Sequence, residues 1–176
     1  MDEHPDAASA DGVVLPAARQ GDVLAIESLA VAYGHSVDDG DWARWEGLFL
    51  PDAVIDYTHS GGITGTPAEL AAWMPDAMSI FAWSMHSVLT HEIRFTGDDT
   101  ATGRVHVFNR NGLEWNGAPE LCDVGGLYLD RYRRVGDRWR FAARTEHSHY
   151  ITGGEFAAVV RQLAATTAPD RRPPMG

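Results

Sequence analysis

Two histidines of this sequence stand inside runs of apolar residues, where an ionisable side chain is unusual. His86 lies in the run Ser-Met-His-Ser-Val-Leu, and His106 lies in the run Arg-Val-His-Val-Phe. An imidazole exchanges protons near neutral pH, so a histidine held in an apolar cavity can act as a general acid or base. A histidine among buried neighbours can equally be a hydrogen-bonded core residue. For either histidine alone, both interpretations stay open.

A tyrosine and an aspartate of the first predicted helix could join this chemistry. Tyr33 falls on the buried stripe of that helix, and Asp38 falls at its C-terminal end. The helix dipole disfavours a carboxylate at that end, which predicts a raised pKa for Asp38, as suits a general base. Five residues of separation place the two side chains about 140° apart on an ideal helix, so both reach one cavity only if the helix end projects into it. The alternative for Asp38 is a solvated turn residue.

Three helices and one short strand are predicted in the first half of the chain. Apolar residues at three- and four-residue spacing predict a helix that is capped by Asp22 and has one buried face. A second, shorter helix is predicted over residues 41–49, and a strand over residues 53–58. Thr66 and Glu69 form a capping box that opens the third helix.

The second half of the chain alternates between apolar and polar residues and predicts four long antiparallel strands joined in sequence. They cover residues 85–95, 101–113, 125–135 and 138–151. The predicted fold class is therefore α+β: a cone-shaped curved antiparallel sheet with three N-terminal helices packed on its concave face.

The predicted domain organisation is a single folded unit between two flexible ends. The length of 176 residues suits one domain. We expect this domain to span residues 21–164, with a flexible N-terminal arm over residues 1–20 and a flexible C-terminal tail over residues 165–176.

The composition excludes several classes of function. All 14 basic residues are arginine, which excludes a Schiff-base lysine and a Walker-type phosphate lysine. The net charge of −11 disfavours nucleic acid and membrane partners and favours a neutral or aromatic ligand. The single cysteine, Cys122, can form neither an internal disulfide nor a zinc site of several thiolates. Neither a secretory signal nor a run of about 18 apolar residues is present, so we expect a cytoplasmic protein.

Six stretches of the sequence carry a resemblance to a known family: residues 25–38, 41–49, 51–57, 61–70, 84–88 and 125–134. Through them the sequence, from the first helix to Tyr150, resembles the SnoaL-like branch of the nuclear transport factor two-like superfamily. Within this branch it is most similar in spacing to the scytalone dehydratase and bile-acid 7α-dehydratase type. The same fold hosts dehydratases, isomerases, cyclases, hydrolases and binding modules, so the resemblance says more about fold than about reaction.

The resemblance implies five catalytic residues. The dehydratases of this type use a tyrosine and an aspartate of the first helix, a tyrosine of the first strand, a histidine that opens the meander, and a polar group on the next strand. The matching residues here are Tyr33, Asp38, Tyr57, His86 and His106. At the last position the bile-acid enzymes carry an acid and scytalone dehydratase carries histidine, so this chain mixes the two patterns and the substrate stays open.

Three further residues are predicted to bind the substrate. Phe108 shares a strand face with His106, and Trp73 lies on the third helix. Arg144 matches a pocket arginine of the bile-acid type, although Arg140 is an equal contender on the same strand face.

The implied reaction is the elimination of water from a cyclic or polycyclic hydroxy-ketone, with neither a cofactor nor a metal. His86 would take the proton alpha to the carbonyl and Asp38 would orient it, while the two tyrosines would donate to the carbonyl oxygen. His106, or the proton returned by His86, would protonate the departing hydroxyl. An isomerase or polyketide cyclase with the same pocket is the alternative, and a non-catalytic small-molecule-binding module is the second.

An open sheet also needs cover on its outer face. Leu127, Leu129, Trp139 and Phe141 are predicted to form an alternating apolar outer face. We therefore expect a homo-oligomer, either a dimer or a trimer.

Overall fold

The structure, a computed structural model, describes residues 17–168 of the chain. Most of the predicted arm and most of the predicted tail lie outside these residues. Ala17–Arg19 forms a 3-10 turn, and helix α1 begins at Gln20, so regular structure starts earlier than the predicted end of the arm. At the other end, residues 165–167, which were predicted to belong to the tail, lie in a helix.

The three predicted helices are present: α1 is Gln20–Asp38, α2 is Trp42–Gly47 and α3 is Pro67–Met78. The predicted capping box opens α3, because the side chain of Thr66 accepts from the backbone of Glu69 and the Glu69 carboxylate accepts from the backbone of Thr66. Asp22 was expected to cap α1 and does not. It lies in the first turn, where its carboxylate accepts hydrogen bonds from Trp139 Nε1 at 2.9 Å and from Arg134 at 3.0 Å.

The strands form one curved, open, six-stranded sheet. They are β1 Phe49–Asp56, β2 Thr64–Gly65, β3 Phe81–Phe95, β4 Thr100–Trp115, β5 Ala118–Val135 and β6 Arg138–Gly153. Their order across the sheet is β2-β1-β6-β5-β4-β3. All neighbouring pairs are antiparallel except β1 and β6, which run parallel. Helix α1 packs across β3 and β6, and α3 packs on β1 and α2. The predicted α+β class is confirmed.

The connection between β4 and β5 is a tight turn, whereas the predicted strands, residues 101–113 and 125–135, left the residues between them as a loop. Asn116 and Gly117 both have positive φ, at 52° and 78°, which is the conformation of a two-residue hairpin turn. Because only these two residues form the turn, β5 begins directly after them at Ala118, seven residues before its predicted start at residue 125. The two strands therefore pair along their whole length.

A fourth helix, α4 at Glu155–Thr167, was not predicted. The Glu120 carboxylate of β5 accepts hydrogen bonds from the backbone N–H groups of Glu155 and Phe156, each at 3.0 Å, and so caps the helix from a distant part of the chain. Phe156, Ala157 and Ala164 are buried against the sheet. This helix covers one end of the cone.

One bulge on β6 changes which of its side chains face the helices. Arg131 pairs with Ala143 and Tyr132 pairs with Phe141, so Ala142 is an extra residue in the ladder. Before the bulge Trp139 and Phe141 point into the core between helices and sheet, which corrects their prediction as outer-face residues. Of the other two residues predicted on that face, Leu127 has no exposed surface and Leu129 is half-buried. After the bulge the alternation is shifted by one residue.

Candidate active site

A cavity of about 340 Å³ opens between the concave face of the sheet and the helices. Its polar side chains come from α1, from the turn after β1 and from strands β3 to β6. They are Tyr33, Tyr57, Ser60, His86, Asn109, Asn111, Tyr128 and Glu146. The apolar wall comes mainly from α3 and α4. A concave, largely apolar site with a few converging polar groups is typical of small-molecule binding.

His86 and Asp38 form the closest polar contact at this cavity. Asp38 is the last residue of α1, and its carboxylate lies 2.6 Å from His86 Nδ1. The same carboxylate accepts the backbone N–H of His86 at 3.0 and 3.1 Å. Three contacts to one residue fix both the strand and the imidazole ring against the helix end. The side chains are only 11% exposed for His86 and 20% exposed for Asp38.

The pair fixes the tautomer of the imidazole. An ionised carboxylate only accepts hydrogen bonds, so the proton of a neutral ring lies on Nδ1 and Nε2 keeps its lone pair. Burial would raise the pKa of Asp38, but the hydrogen bonds from the His86 ring and backbone outweigh burial and lower the pKa below its ordinary value. The raised pKa expected from the helix dipole is therefore wrong. Asp38 is the counter-ion of the histidine, and His86 Nε2 is the available base.

Tyr33 and Tyr57 form a second polar pair, with their hydroxyl oxygens 2.7 Å apart. Both side chains are buried, at 3% and 5% exposure, and both line the cavity. Burial raises the pKa of each phenol, so both stay protonated. One hydroxyl donates to the other, which leaves a single phenolic proton for a ligand oxygen.

Trp73 lines the cavity as the sequence predicted, together with its neighbour Met74 on α3. Opposite, α4 contributes Phe156, Val160 and Leu163, none of which the sequence indicated. These side chains give a water-poor wall that suits a hydrophobic or aromatic ring.

His106 and Phe108 do not lie in the cavity, which corrects both predictions. His106 is exposed, and its Nδ1 lies 2.6 Å from Thr90 Oγ1. Phe108 has the Arg110 guanidinium over its ring at 5.4 Å. The reason is the phase of β4, whose odd-numbered residues face the cone, so that even-numbered side chains point outward. The residue paired with His86 across the strands is Asn109.

Arg144 lies behind the cavity wall and does not line it. Its side chain is 1% exposed and makes two hydrogen bonds to Asp130, both at 2.8 Å. Its guanidinium carbon lies 4.0 Å from the centre of the Tyr33 ring and 4.1 Å from that of the Tyr128 ring. The predicted contact of Arg144 with substrate is therefore wrong. The cation supports the tyrosines from behind their faces.

Sequence reasoning missed several polar residues of the cavity. Asn109 and Asn111 continue the inward phase of Val105 and Val107, so the alternation of β4 could have indicated them. Asn109 donates to the Tyr128 hydroxyl at 3.1 Å. Glu146 was hidden because its inward direction depends on the bulge at residue 142.

The remaining observations concern the histidines near the end of β6, metal ions and membranes. His147 is buried against His59, with ring centres 4.3 Å apart, while His149 is exposed. Within residues 17–168, no three His, Cys, Asp or Glu side chains are arranged to hold a metal ion. No helix of the same residues is long and apolar enough to cross a membrane.

The family model described as "SnoaL-like domain" matches residues 19–145 of this chain. The chain belongs to the SnoaL-like domain family. The match contains α1 to α3, the first five strands, and the Asp38, His86 and tyrosine pairs described above. The resemblance found in the sequence is thereby confirmed.

Relatives and solved structures of this SnoaL-like protein share its fold. An uncharacterized protein of Mycobacterium tuberculosis is 32% identical over 136 residues, which cover 77% of this chain and 91% of that protein. A hexachlorocyclohexane dehydrochlorinase of type 2 superposes with a TM-score of 0.69 at 20% identity, covering 77% of this chain and 90% of the enzyme. A proposed scytalone dehydratase of Novosphingobium aromaticivorans superposes with a TM-score of 0.66 at 19% identity, covering 75% and 87%. At these identities the structures show the fold alone.

Proposed function

We propose that this SnoaL-like protein is a cofactor-independent dehydratase that eliminates water from a cyclic or polycyclic hydroxy-ketone. The observation that carries the proposal is the contact of Asp38 with both the ring and the backbone of His86 at the edge of the cavity. A carboxylate that holds the Nδ1–H of a histidine makes Nε2 a base and stabilises the imidazolium formed when that base accepts a proton.

The reaction begins with the proton alpha to the substrate carbonyl. His86 Nε2 takes this proton, and the electron pair of the C–H bond becomes the new C=C bond. The bond to the departing hydroxyl breaks with its electron pair on oxygen, which takes up a proton and leaves as water. The Tyr33 and Tyr57 pair donates to the carbonyl oxygen, where negative charge develops, and such donors contribute most in a water-poor site. The general base supplies roughly a hundredfold to ten-thousandfold in rate.

The shape and charge of the site support a neutral cyclic substrate. A cavity of about 340 Å³ is at the small end of the range for ligand sites, and its apolar wall includes Trp73 and Phe156. The protein as a whole carries a net charge of −11, which disfavours anionic ligands.

The neighbouring structures are consistent with elimination chemistry. One is named for dehydrochlorination and another for the proposed dehydration of scytalone. Both names describe the loss of a small leaving group with formation of a double bond, which is the reaction class that a single buried base and a donor pair can serve.

The proposal is tested by incubating the protein with a panel of hydroxylated cyclic and polycyclic ketones and following the loss of water by mass spectrometry. We expect His86→Ala to abolish the loss of water, because it removes the base. His106→Ala is the matched control, since it removes an imidazole from the outer face of the sheet and should leave turnover unchanged. Full turnover by His86→Ala on a substrate of the wild-type protein would show that the proposed base is wrong.

A further inference from the structure

Glu146 is a carboxyl group in the cavity that the proposed base does not use. It lies on β6, is 6% exposed, and lines the same cavity as His86. In the sheet, β6 is separated from β3 by β5 and β4, so the two side chains approach the cavity from different walls of the curved sheet. Burying an ionised carboxylate without a cation is unfavourable, so the burial of Glu146 in this cavity needs a physical explanation.

Nearby cations do not pair with Glu146. Arg144, two residues earlier on the same strand, has its guanidinium bonded to Asp130. The Glu146 carboxyl group instead contacts two hydroxyl groups: Ser60 Oγ lies 3.0 Å from Oε2, and Ser148 Oγ lies 3.4 Å from Oε1. Neutral donors stabilise an ionised carboxylate less than an arginine does.

The contacts of Ser60 fit a protonated Glu146. Ser60 Oγ lies 3.0 Å from Glu146 Oε2 and also 3.0 Å from the carbonyl oxygen of Tyr57. A hydroxyl carries one proton and can donate it to only one of these two oxygens. If Glu146 is a neutral acid, it donates to Ser60 Oγ while Ser60 donates to the carbonyl, and both contacts are hydrogen bonds.

The surroundings of Glu146 act in the same direction. Burial raises the pKa of its carboxyl group above the ordinary value, and the hydrogen bonds from Ser60 and Ser148 together with the nearby His86 and Arg144 offset this only in part. Tyr33 and Tyr128 also face it, and they are neutral phenols whose own pKa values are raised by burial. A carboxyl group kept neutral in a cavity can donate a proton to a bound molecule.

We propose that Glu146, positioned by Ser60, is the general acid that protonates the departing hydroxyl of the substrate. This inference rests on the proposed dehydratase function and adds the second proton transfer to it. His86 removes a proton from carbon, the C–O bond breaks with its electron pair on oxygen, and Glu146 gives its proton to that oxygen, so that water leaves. His86 is then protonated and Glu146 ionised, and one proton passed between them through solvent restores both groups.

The proposal assigns the leaving-group class of the site. Hydroxide is a poor leaving group and needs a proton, whereas chloride departs as a stable anion without one. A cavity with a built-in neutral acid is therefore made for hydroxylated substrates rather than halogenated ones.

The test compares two substrates that share one ring ketone and differ only in the leaving group, hydroxyl or chloride, at the carbon beta to the carbonyl. Glu146→Gln keeps the size of the side chain and removes its acidic proton. For the hydroxy-ketone we expect kcat of this variant to fall by about a hundredfold to ten-thousandfold. For the chloro-ketone we expect wild-type kcat, which also shows that the variant is folded. Glu46→Gln, on the exposed surface of α2, is the matched control.

The outcomes separate this inference from the function on which it rests. If Glu146→Gln dehydrates the hydroxy-ketone at the wild-type rate, the acid is wrong and the proposed function stands. If kcat of Glu146→Gln falls equally for the hydroxy-ketone and the chloro-ketone, the residue has a structural role and the inference also fails. If His86→Ala keeps activity on both substrates, the proposed base is wrong; if the wild-type protein eliminates from neither substrate, the proposed function itself fails. A further readout is the pH profile, in which the decline of kcat on the alkaline side should disappear in Glu146→Gln.

Discussion

Replacing Asp38 with asparagine tests the most specific geometric feature of the site. The asparagine oxygen can still accept the backbone N–H of His86, which lies about as close to Oδ1 as to Oδ2 in the native carboxylate. The amide NH₂ group, however, donates, so next to Nδ1 it favours the tautomer whose proton lies on Nε2. The lone pair of the base is then turned away from the substrate.

The size of the effect follows from the role of the tautomer. In a Ser-His-Asp triad the same substitution lowers kcat by about ten-thousandfold while the geometry stays intact. Here the His86 ring keeps 11% exposure, and solvent supports the correct tautomer part of the time. We therefore expect a loss in kcat of about 10³ to 10⁴, equivalent to roughly 4–5 kcal/mol of activation free energy.

The assay has one readout that depends on substrate and one that does not. The first is kcat on any hydroxy-ketone that the wild-type protein dehydrates, with Asp39→Asn as the control on the neighbouring exposed carboxylate. The second is the ¹⁵N chemical shifts of the His86 ring, which report which nitrogen carries the proton. A variant with wild-type kcat, or with its proton still on Nδ1, would refute the reasoning.

Four other outcomes are expected. Tyr33→Phe and Tyr57→Phe should each lower kcat by about 10² to 10³. The double variant should have a kcat only a little below that of either single variant, because the pair acts as one donor; steady-state kinetics on the same substrate measures this. Arg144→Met should cost about 3–5 kcal/mol of unfolding free energy in urea, because it leaves the Asp130 carboxylate buried without a cation. Burial raises the pKa of folded Glu146, so wild-type stability falls as pH rises through that pKa; the melting-temperature advantage of Glu146→Gln should therefore grow from about pH 4 upward. Light scattering should find a dimer or trimer, since β3 exposes large apolar side chains.

The elements of the fold could be predicted where local signals are strong. The capping box of Thr66 and Glu69 correctly predicted α3, and the alternation of the four long strands correctly predicted the meander and the α+β class. Helix α4 was missed although Phe156, Val160 and Leu163 recur at helical spacing; its cap, by contrast, is the carboxylate of Glu120, 35 residues earlier in the chain. The parallel pairing of β1 with β6 is likewise a long-range contact that no local pattern encodes.

The site could be predicted only in part, because the face of the strand on which a side chain lies was assigned wrongly at some positions. Tyr33, Tyr57 and His86 were found because resemblance supplied their positions, and the structure brings them to one cavity. His106 was misplaced because the resemblance supplied its position, although the alternation of β4 puts it on the face opposite Val105 and Val107. Glu146 was missed because one extra residue in β6 reverses the alternation before it.

Helix α4 supplies part of the cavity wall from a segment of the chain that follows the family match. The family match ends at residue 145, while Phe156, Val160 and Leu163 of the cavity wall come after it. His86, the proposed base that takes a proton from carbon, thus lies in one stretch of the chain, and part of the apolar wall that would hold the ring lies in another. Exchanging α4 would change the apolar wall of the cavity without altering the contact of Asp38 with His86.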